Sequence, residues 1–183
     1  PYPSALDADQ FIADNSFAIA GTLYFYDSTN DDTHYRNAYT GGYATRVIGV
    51  GTGFGAGTAP GQYIPVGQAF FVYSEGSTTG EIEFKNSQRA FATLGGNSNF
   101  YGKTNVKRNT TPILRFGFQF EIGNSEVYKR QLALAFRGLT NGYENGYDAF
   151  IFDRQPSDAG LKSSFPSSPY VISSIDYFNE EMR

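Results

Sequence analysis

Apolar and polar residues alternate with a period of two along much of this chain, and that pattern is typical of half-buried β-strands. The stretch from Gln62 to Phe91 shows it well. Two strand-like runs, Gly67–Tyr73 and Glu81–Lys85, flank a Ser-, Thr- and Gly-rich turn at Ser74–Gly80. We therefore predict a β-hairpin at the centre of the chain.

The same alternation predicts a second hairpin further along the chain. In Pro112–Ile122, the apolar residues at even positions share one face, and we expect a second layer to bury that face. Arg130–Arg137 returns after a turn, with Leu132, Leu134 and Phe136 directed inward. Ala133 and Ala135 occupy the reverse face, and their small size predicts close packing there as well. The remaining predicted strands are Ile19–Tyr26, Tyr43–Val50, Tyr147–Phe152 and Tyr170–Ile175.

One helical signal precedes these strands, within Pro1–Asn15. Ser4 is suited to cap a helix, and Asp7 and Asp9 favour a helix N-terminus because they complement its dipole. Asn15 is suited to end the helix. Polar segments rich in Asp, Asn, Thr and Gly are predicted as loops, the first of them at Asp27–Gly42.

About eight strands with one apolar face each are accommodated economically by two sheets packed face to face. We predict an all-β, two-sheet sandwich of the jelly-roll type, with one short N-terminal helix and long polar loops. A closed barrel is the alternative. The length of 183 residues predicts a single module over residues 1–183.

Composition narrows the function classes. Tyrosine and phenylalanine supply the large packing residues, because the chain has 14 Tyr, 17 Phe and no Trp. A formal net charge of −4 argues against a nucleic-acid groove, which needs a basic face. The absence of Cys excludes disulfides and thiol catalysis. No apolar run is long enough for a transmembrane helix, so we expect no membrane insertion. A chain that opens at Pro1 is interpreted as a piece of a larger secreted protein.

Several phrases occur in an order that resembles a known family. They are PYPSALDADQFI at Pro1–Ile12, PVGQAFFV at Pro65–Val72, GEIEFKNSQRAF at Gly80–Phe91, QLALAF at Gln131–Phe136 and GYDAFIFD at Gly146–Asp153. Together they resemble the β-rich extracellular module that precedes the C-terminal sorting signal in type IX secretion substrates of Bacteroidota. The resemblance implies an outer-cell-surface location and contact with the type IX outer-membrane export machinery, as in surface adhesins. It implies no catalytic residues.

Five tyrosines cluster in and beside the first long loop. They are Tyr24, Tyr26, Tyr35, Tyr39 and Tyr43. Aromatic rings beside Asp and Asn are typical of a glycan site, where ring faces stack on sugar C–H surfaces and amides and carboxylates bind hydroxyls. The alternative is packing between strands, which falls to Tyr and Phe in a chain without Trp.

The loop also holds candidate calcium ligands and a candidate modification site. Asp27, Asn30, Asp31 and Asp32 supply the oxygen ligands that Ca²⁺ prefers. A solvated turn is the alternative, because the EF-hand spacing is absent. Ser28 lies in an Asp-Ser-Thr sequence that resembles the O-glycosylation acceptor pattern of the same bacteria.

Catalytic candidates are few. His34 is the one histidine, and it lies in a polar loop without a nucleophile-elbow motif. The acid pairs Glu81–Glu83 and Asp148–Asp153 are candidates for glycoside hydrolysis, which needs two carboxyl groups about 5–9.5 Å apart.

The sequence thus favours a non-catalytic extracellular module that serves adhesion, display or glycan binding and needs no cofactor beyond the candidate calcium. The alternative is a glycan-active β-sandwich enzyme or an accessory domain of one. A third interpretation is a module that presents its parent protein to the export machinery.

Overall fold

The computed structural model of the protein describes residues 3–28, 41–55, 57–74, 80–91, 111–122, 126–139, 142–161 and 169–177. Strands predominate in this part of the chain, and they are accompanied by the helix α1 (Ala8–Asp14) and a 3₁₀ turn at Asn86–Gln88. The predicted all-β fold class is therefore confirmed.

The described strands form three sheets, where two were predicted. In chain order they are β1 (Ala5–Asp7), β2 (Leu23–Ser28), β3 (Gly41–Val47), β4 (Val50–Thr52), β5 (Tyr63–Ile64), β6 (Phe71–Val72), β7 (Arg89–Ala90), β8 (Ile113–Ile122), β9 (Glu126–Phe136), β10 (Ala149–Phe150) and β11 (Tyr170–Ile175). The small sheet has the order β5-β1-β7, the central sheet β4-β3-β2-β6 and the long-strand sheet β10-β11-β9-β8.

The central sheet contributes to two hydrophobic cores. Leu23 and Phe25 of β2 pack with Phe11 and Ile12 of helix α1. Val47 of β3 and Val50 of β4, on the other face of the sheet, pack with buried residues of the long-strand sheet. The result is a sandwich of two four-stranded sheets, to which the helix and the small sheet add a further layer.

The helix begins one turn later than the predicted cap. Asp7, rather than Ser4, is the N-cap, and its Oδ1 accepts a hydrogen bond from the backbone N–H of Asp9 at 3.0 Å. The Ser4 hydroxyl instead accepts from Arg89 Nε at 3.1 Å. Asn15 ends the helix, as predicted.

The predicted central hairpin is wrong. Within Gly67–Tyr73, only Phe71–Val72 is a strand, and it pairs with β2. Glu81–Lys85 is not a strand, because its polar groups have another partner. The backbone N–H of Glu83 donates to Asn15 Oδ1 at 2.7 Å, and Asn15 Nδ2 donates to the Glu83 carbonyl at 3.0 Å. A side-chain amide has one donor group and one acceptor, so it replaces a strand partner at this point.

Two other predicted boundaries also change. Tyr43–Val50 is not one strand, because β3 ends at Val47 and β4 begins at Val50. Gly49, in the turn between them, has a φ of 71°, a conformation that glycine adopts without steric cost. β2 and β3 also extend into the predicted loop Asp27–Gly42, where Ser28 pairs with Gly41.

β8 and β9 form the predicted antiparallel hairpin, with Leu114 opposite Leu134. The reverse face of β9 is tightly packed as expected, since Ala133 and Ala135 are fully buried. The predicted burial of the apolar face of β8 is wrong, because Leu114, Phe116 and Phe118 are 50%, 40% and 43% exposed. β8 lies at the edge of its sheet, and the described residues do not enclose this face.

β11 lies between β9 and β10 and is parallel to β9. Asp148, just before β10, fixes this arrangement from a fully buried position. Its Oδ1 accepts from the backbone N–H of Ser174 at 2.6 Å, and its Oδ2 accepts from that of Glu144 at 2.8 Å. Burial raises the pKa of Asp148, although both hydrogen bonds favour the ionised form.

Asp148→Asn is expected to lower the free energy of unfolding by about 1–3 kcal/mol, because an amide nitrogen cannot accept from the second backbone N–H. Urea unfolding followed by circular dichroism measures the change. The matched control is Asp176→Asn at an exposed position, where the carboxylate accepts from the adjacent Tyr177 N–H. This control should stay within about 0.5 kcal/mol of the parent. Equal loss in both variants would contradict the assigned role of Asp148.

Candidate functional site

Three of the five predicted tyrosines lie together on β2 and β3. Tyr26 is directly opposite Tyr43, and Tyr24 precedes Tyr26 on the same face of the central sheet. Tyr35 and Tyr39 lie outside the described residues. The alternation along β2 thus identifies the correct tyrosine-bearing face.

Two phenylalanines from distant parts of the chain complete an aromatic surface. The Tyr43 ring lies at its centre, with ring centroids 5.5 Å from Tyr26, 5.7 Å from Phe71 and 4.7 Å from Phe152. Tyr26, Phe71 and Phe152 are 40%, 51% and 43% exposed, so that parts of three rings reach solvent. We call Tyr26, Tyr43, Phe71 and Phe152 the aromatic platform.

Tyr24 lies beneath this platform. Its side chain is buried, and its ring centroid is 4.7 Å from that of Phe152. Its hydroxyl donates to the Phe150 carbonyl at 3.3 Å, which connects β2 to β10. Burial raises the pKa of Tyr24 to about 12. Tyr24 therefore supports the platform by packing between the two sheets and does not offer a face to a ligand.

A buried ionic cluster lies beside the platform, and Arg130 of β9 is its centre. Arg130 Nε and Nη2 donate to the two carboxylate oxygens of Asp158 at 3.1 and 2.6 Å. Its Nη1 donates to Asp153 Oδ1 at 2.9 Å. Burial opposes the charge of Arg130, but the hydrogen bond to Asp158 and the two carboxylate charges produce a net rise in its pKa.

The second oxygen of Asp153 connects this cluster to the platform. Asp153 Oδ2 accepts from the Tyr128 hydroxyl at 2.7 Å and from the backbone N–H of Tyr43 at 3.3 Å. Burial, together with the bond to Asp153, raises the pKa of Tyr128 and keeps its hydroxyl protonated. The cluster therefore positions two of the four platform residues. Tyr43 is held through its backbone N–H, and Phe152 is held because it directly precedes Asp153.

The acids considered for hydrolysis differ in their contacts. Both oxygens of Asp148 accept backbone hydrogen bonds, and both oxygens of Asp153 belong to the ionic cluster. Glu83 forms a surface ion pair with Lys85 at 2.9 Å. Glu81 is exposed nearby. The carboxylates of Asp148 and Asp153 therefore have structural roles, because each joins distant segments of the chain.

The candidate calcium loop is described only at its start. Asp27 and Ser28 are the half-buried last residues of β2, while Asn30, Asp31, Asp32 and His34 lie outside the described residues. Within the described part of the chain, no three acidic or histidine side chains are grouped to hold a metal ion. Calcium binding and O-glycosylation of Ser28 stay predictions.

A groove of about 440 Å³ lies on the helix side of the central sheet. Its lining is mostly apolar and includes Leu6, Phe11, Phe70, Ile82 and Phe84. Such a lining offers few polar groups to orient a sugar. The aromatic platform, which combines ring faces with phenolic hydroxyls, is the better candidate for a glycan.

The protein family described as "Domain of unknown function (DUF8693)" matches residues 1–181. The chain belongs to this family. No curated protein and no solved structure matches it. Among the described residues of this DUF8693 domain, no helix is long and apolar enough to span a membrane.

Sequence reasoning alone does not single out Phe71 and Phe152 of the DUF8693 domain. Phe71 reaches the platform because β6 pairs with β2, where the hairpin prediction pairs it elsewhere. Phe152 reaches it because Asp153 is anchored to Arg130. The sequence does show that Phe152 adjoins an acid, Asp153, in GYDAFIFD. It does not show that this acid pairs with a buried cation, and that pairing is what places Phe152 in the platform.

Arg130→Met is expected to lower the free energy of unfolding by about 3–5 kcal/mol, because two buried carboxylates lose their cation. Urea unfolding measures this. The matched control is Arg154→Met, at an exposed position next to Asp153, and it should stay within about 0.5 kcal/mol of the parent. An Arg130→Met variant as stable as Arg154→Met would contradict the ionic role of Arg130.

Tyr24→Phe tests the burial of the Tyr24 hydroxyl. The pKa of Tyr24 is raised from 10.0 to about 12 in the folded protein, so the unfolded chain loses this proton first as the pH rises. Wild-type stability should therefore fall relative to the variant between about pH 10 and 12, by about 2–3 kcal/mol. Urea unfolding across this pH range measures the difference. A difference that stays constant with pH would place the hydroxyl in solvent.

Proposed function

We propose that this domain is a non-catalytic extracellular module that binds glycan on the aromatic platform. The observation that carries this proposal is the contact of three partly exposed aromatic side chains, Tyr26, Phe71 and Phe152, with the Tyr43 ring at their centre. Contiguous exposed apolar surface marks a binding site more often than scattered apolar residues do.

The chemistry of the platform suits a sugar. Its ring faces offer apolar surface for the C–H faces of a pyranose, and the hydroxyls of Tyr26 and Tyr43 can donate to and accept from sugar hydroxyls. The formal net charge of the whole chain, −4, fits a neutral glycan partner better than a polyanion.

The platform is also held in place before any ligand binds. The Tyr43 ring contacts three other rings, and its backbone N–H donates to Asp153. Rings that are already ordered lose little conformational freedom on binding, which favours affinity. This rigidity supports a role in adhesion or display at a surface.

The cellular setting is part of the same proposal. The resemblance to modules of type IX secretion substrates supports export through the outer-membrane machinery and exposure on the outer cell surface. A glycan-binding platform would then contribute to adhesion by the parent protein. Loss of surface display after deletion of the export machinery in the host would test this setting separately from sugar binding.

Affinity electrophoresis against a panel of soluble polysaccharides tests the glycan site. Phe71→Ala and Tyr26→Ala are each expected to weaken retention about tenfold, which corresponds to about 1.4 kcal/mol of binding free energy. The matched control is Phe17→Ala, because Phe17 is 83% exposed and lies outside the platform. Retention that all three variants preserve would contradict the proposed site.

The same incubations address the enzymatic alternative. A bound polysaccharide should be recovered at unchanged length if the module does not cleave it. New reducing ends that disappear on replacement of one acid would instead support a glycan-active enzyme.

A further inference from the structure

Within the part of the chain that the structure describes, β8 presents a long open edge. It runs for ten residues, Ile113–Ile122, and among the described strands only β9 pairs with it. An unpaired edge of this length is a template for another strand, and natural edge strands are normally interrupted by Lys, Pro or a bulge. β8 has neither Lys nor Pro, and its register with β9 is continuous. We propose that two copies of this chain pair through β8 in antiparallel orientation, with the two-fold axis at Phe118.

The direction of the backbone groups defines which residues can pair across this edge. The N–H of Phe136 donates to the carbonyl of Pro112 at 3.0 Å, so that even-numbered residues of β8 direct their backbone groups toward β9. Backbone groups alternate along an antiparallel strand, and those of Arg115, Gly117, Gln119 and Glu121 therefore face outward. A second strand must form its hydrogen bonds with these odd-numbered residues.

Charge complementarity then selects one register. A two-fold axis at Phe118 places Arg115 opposite Glu121 of the second copy, and the symmetry repeats this pair on the other side of the axis. An axis at Gly117 would instead place Glu121 opposite Ile113. The register at Phe118 pairs odd residues only with odd residues, and it closes about eight backbone hydrogen bonds between the copies.

The exposed apolar face of β8 supports the same pairing. Leu114, Phe116 and Phe118 lie on one face of the sheet and are 50%, 40% and 43% exposed. In the proposed register, the two Phe118 rings meet at the axis and Phe116 lies opposite Phe120 of the second copy. These are non-hydrogen-bonded positions, where the Cα atoms are about 4.5 Å apart and side chains pack closely. This lateral contact removes the facing sides of the two apolar rows from solvent and joins them into one continuous row of packed side chains.

The surroundings of Arg115 provide a further argument. Its Nη1 donates to the carbonyl of Gly51 at 2.6 Å, which holds the guanidinium beside the sheet. Burial lowers the pKa of Arg115, and no ion pair connects it to a carboxylate among the described residues. Glu121 of the second copy would supply that missing carboxylate.

Cross-linking tests this register directly, because the chain has no native cysteine. In Phe118→Cys, the two thiols meet on the axis, at a Cα separation within the range that a disulfide spans. Mild oxidation should then convert the purified variant to a covalent dimer on non-reducing gels. Phe116→Cys is the matched control and should give no covalent dimer, because its thiol faces Phe120 of the second copy. Equal cross-linking of the two variants would overturn the register.

Sedimentation over a concentration series tests the dimer without any cysteine. Gly117→Pro removes an outward-facing N–H and leaves the β9 ladder intact, so it should weaken dimerisation more than tenfold with the fold retained. Glu121→Lys should also weaken it, whereas an equimolar mixture of Glu121→Lys and Arg115→Glu should restore a heterodimer with opposite charges at every pair. The control Glu81→Lys should dimerise like the parent. A parent chain that stays monomeric throughout, or a dimer that Gly117→Pro does not weaken, would overturn the proposal.

Discussion

Arg130 and its two carboxylates connect parts of the molecule that the chain order keeps far apart. The guanidinium of Arg130 donates two hydrogen bonds to the Asp158 carboxylate and one to the Asp153 carboxylate, and the Asp153 carboxylate in turn accepts from the backbone of Tyr43 in the central sheet. Buried charges are costly unless nearly every polar atom is paired, and this cluster meets that condition with the help of Tyr128. The long-strand sheet and the aromatic platform therefore depend on one electrostatic arrangement.

At several other points, side chains supply the hydrogen-bond partners of backbone groups. Asp7 caps the helix, Asn15 pairs with the backbone of Glu83, and Asp148 accepts from two backbone N–H groups. Asn145 likewise donates to two backbone carbonyls, those of Ser16 and Ile19. Buried backbone groups must find partners, and strands of two or three residues satisfy few of them. Short polar side chains thus define much of this fold.

The alternation of apolar and polar residues predicts those features of the fold that depend only on residues close together in the sequence. The alternation along β2 identifies Tyr24 and Tyr26 on one face, and the alternation along β8 and β9 identifies their hairpin, because strand parity needs no distant partner. It fails for Glu81–Lys85, where Asn15 satisfies the backbone in place of a strand. It also fails to show which strand lies at a sheet edge, or that Phe152 joins the platform, since both follow from contacts between distant segments.

The position of β11 has a consequence for how the chain acquires its structure. This strand lies between β9 and β10, and its parallel pairing places Ile172 beside Ala133. The interior of the sheet is thus completed by a segment near the end of the described chain, whereas its edge strand β8 comes much earlier. Pairings between distant segments form slowly, because a long loop must close before any contact offsets its entropy. During synthesis, β8 and β9 can therefore form their hairpin early, but the four-stranded sheet stays incomplete until residues 170–175 have been synthesised.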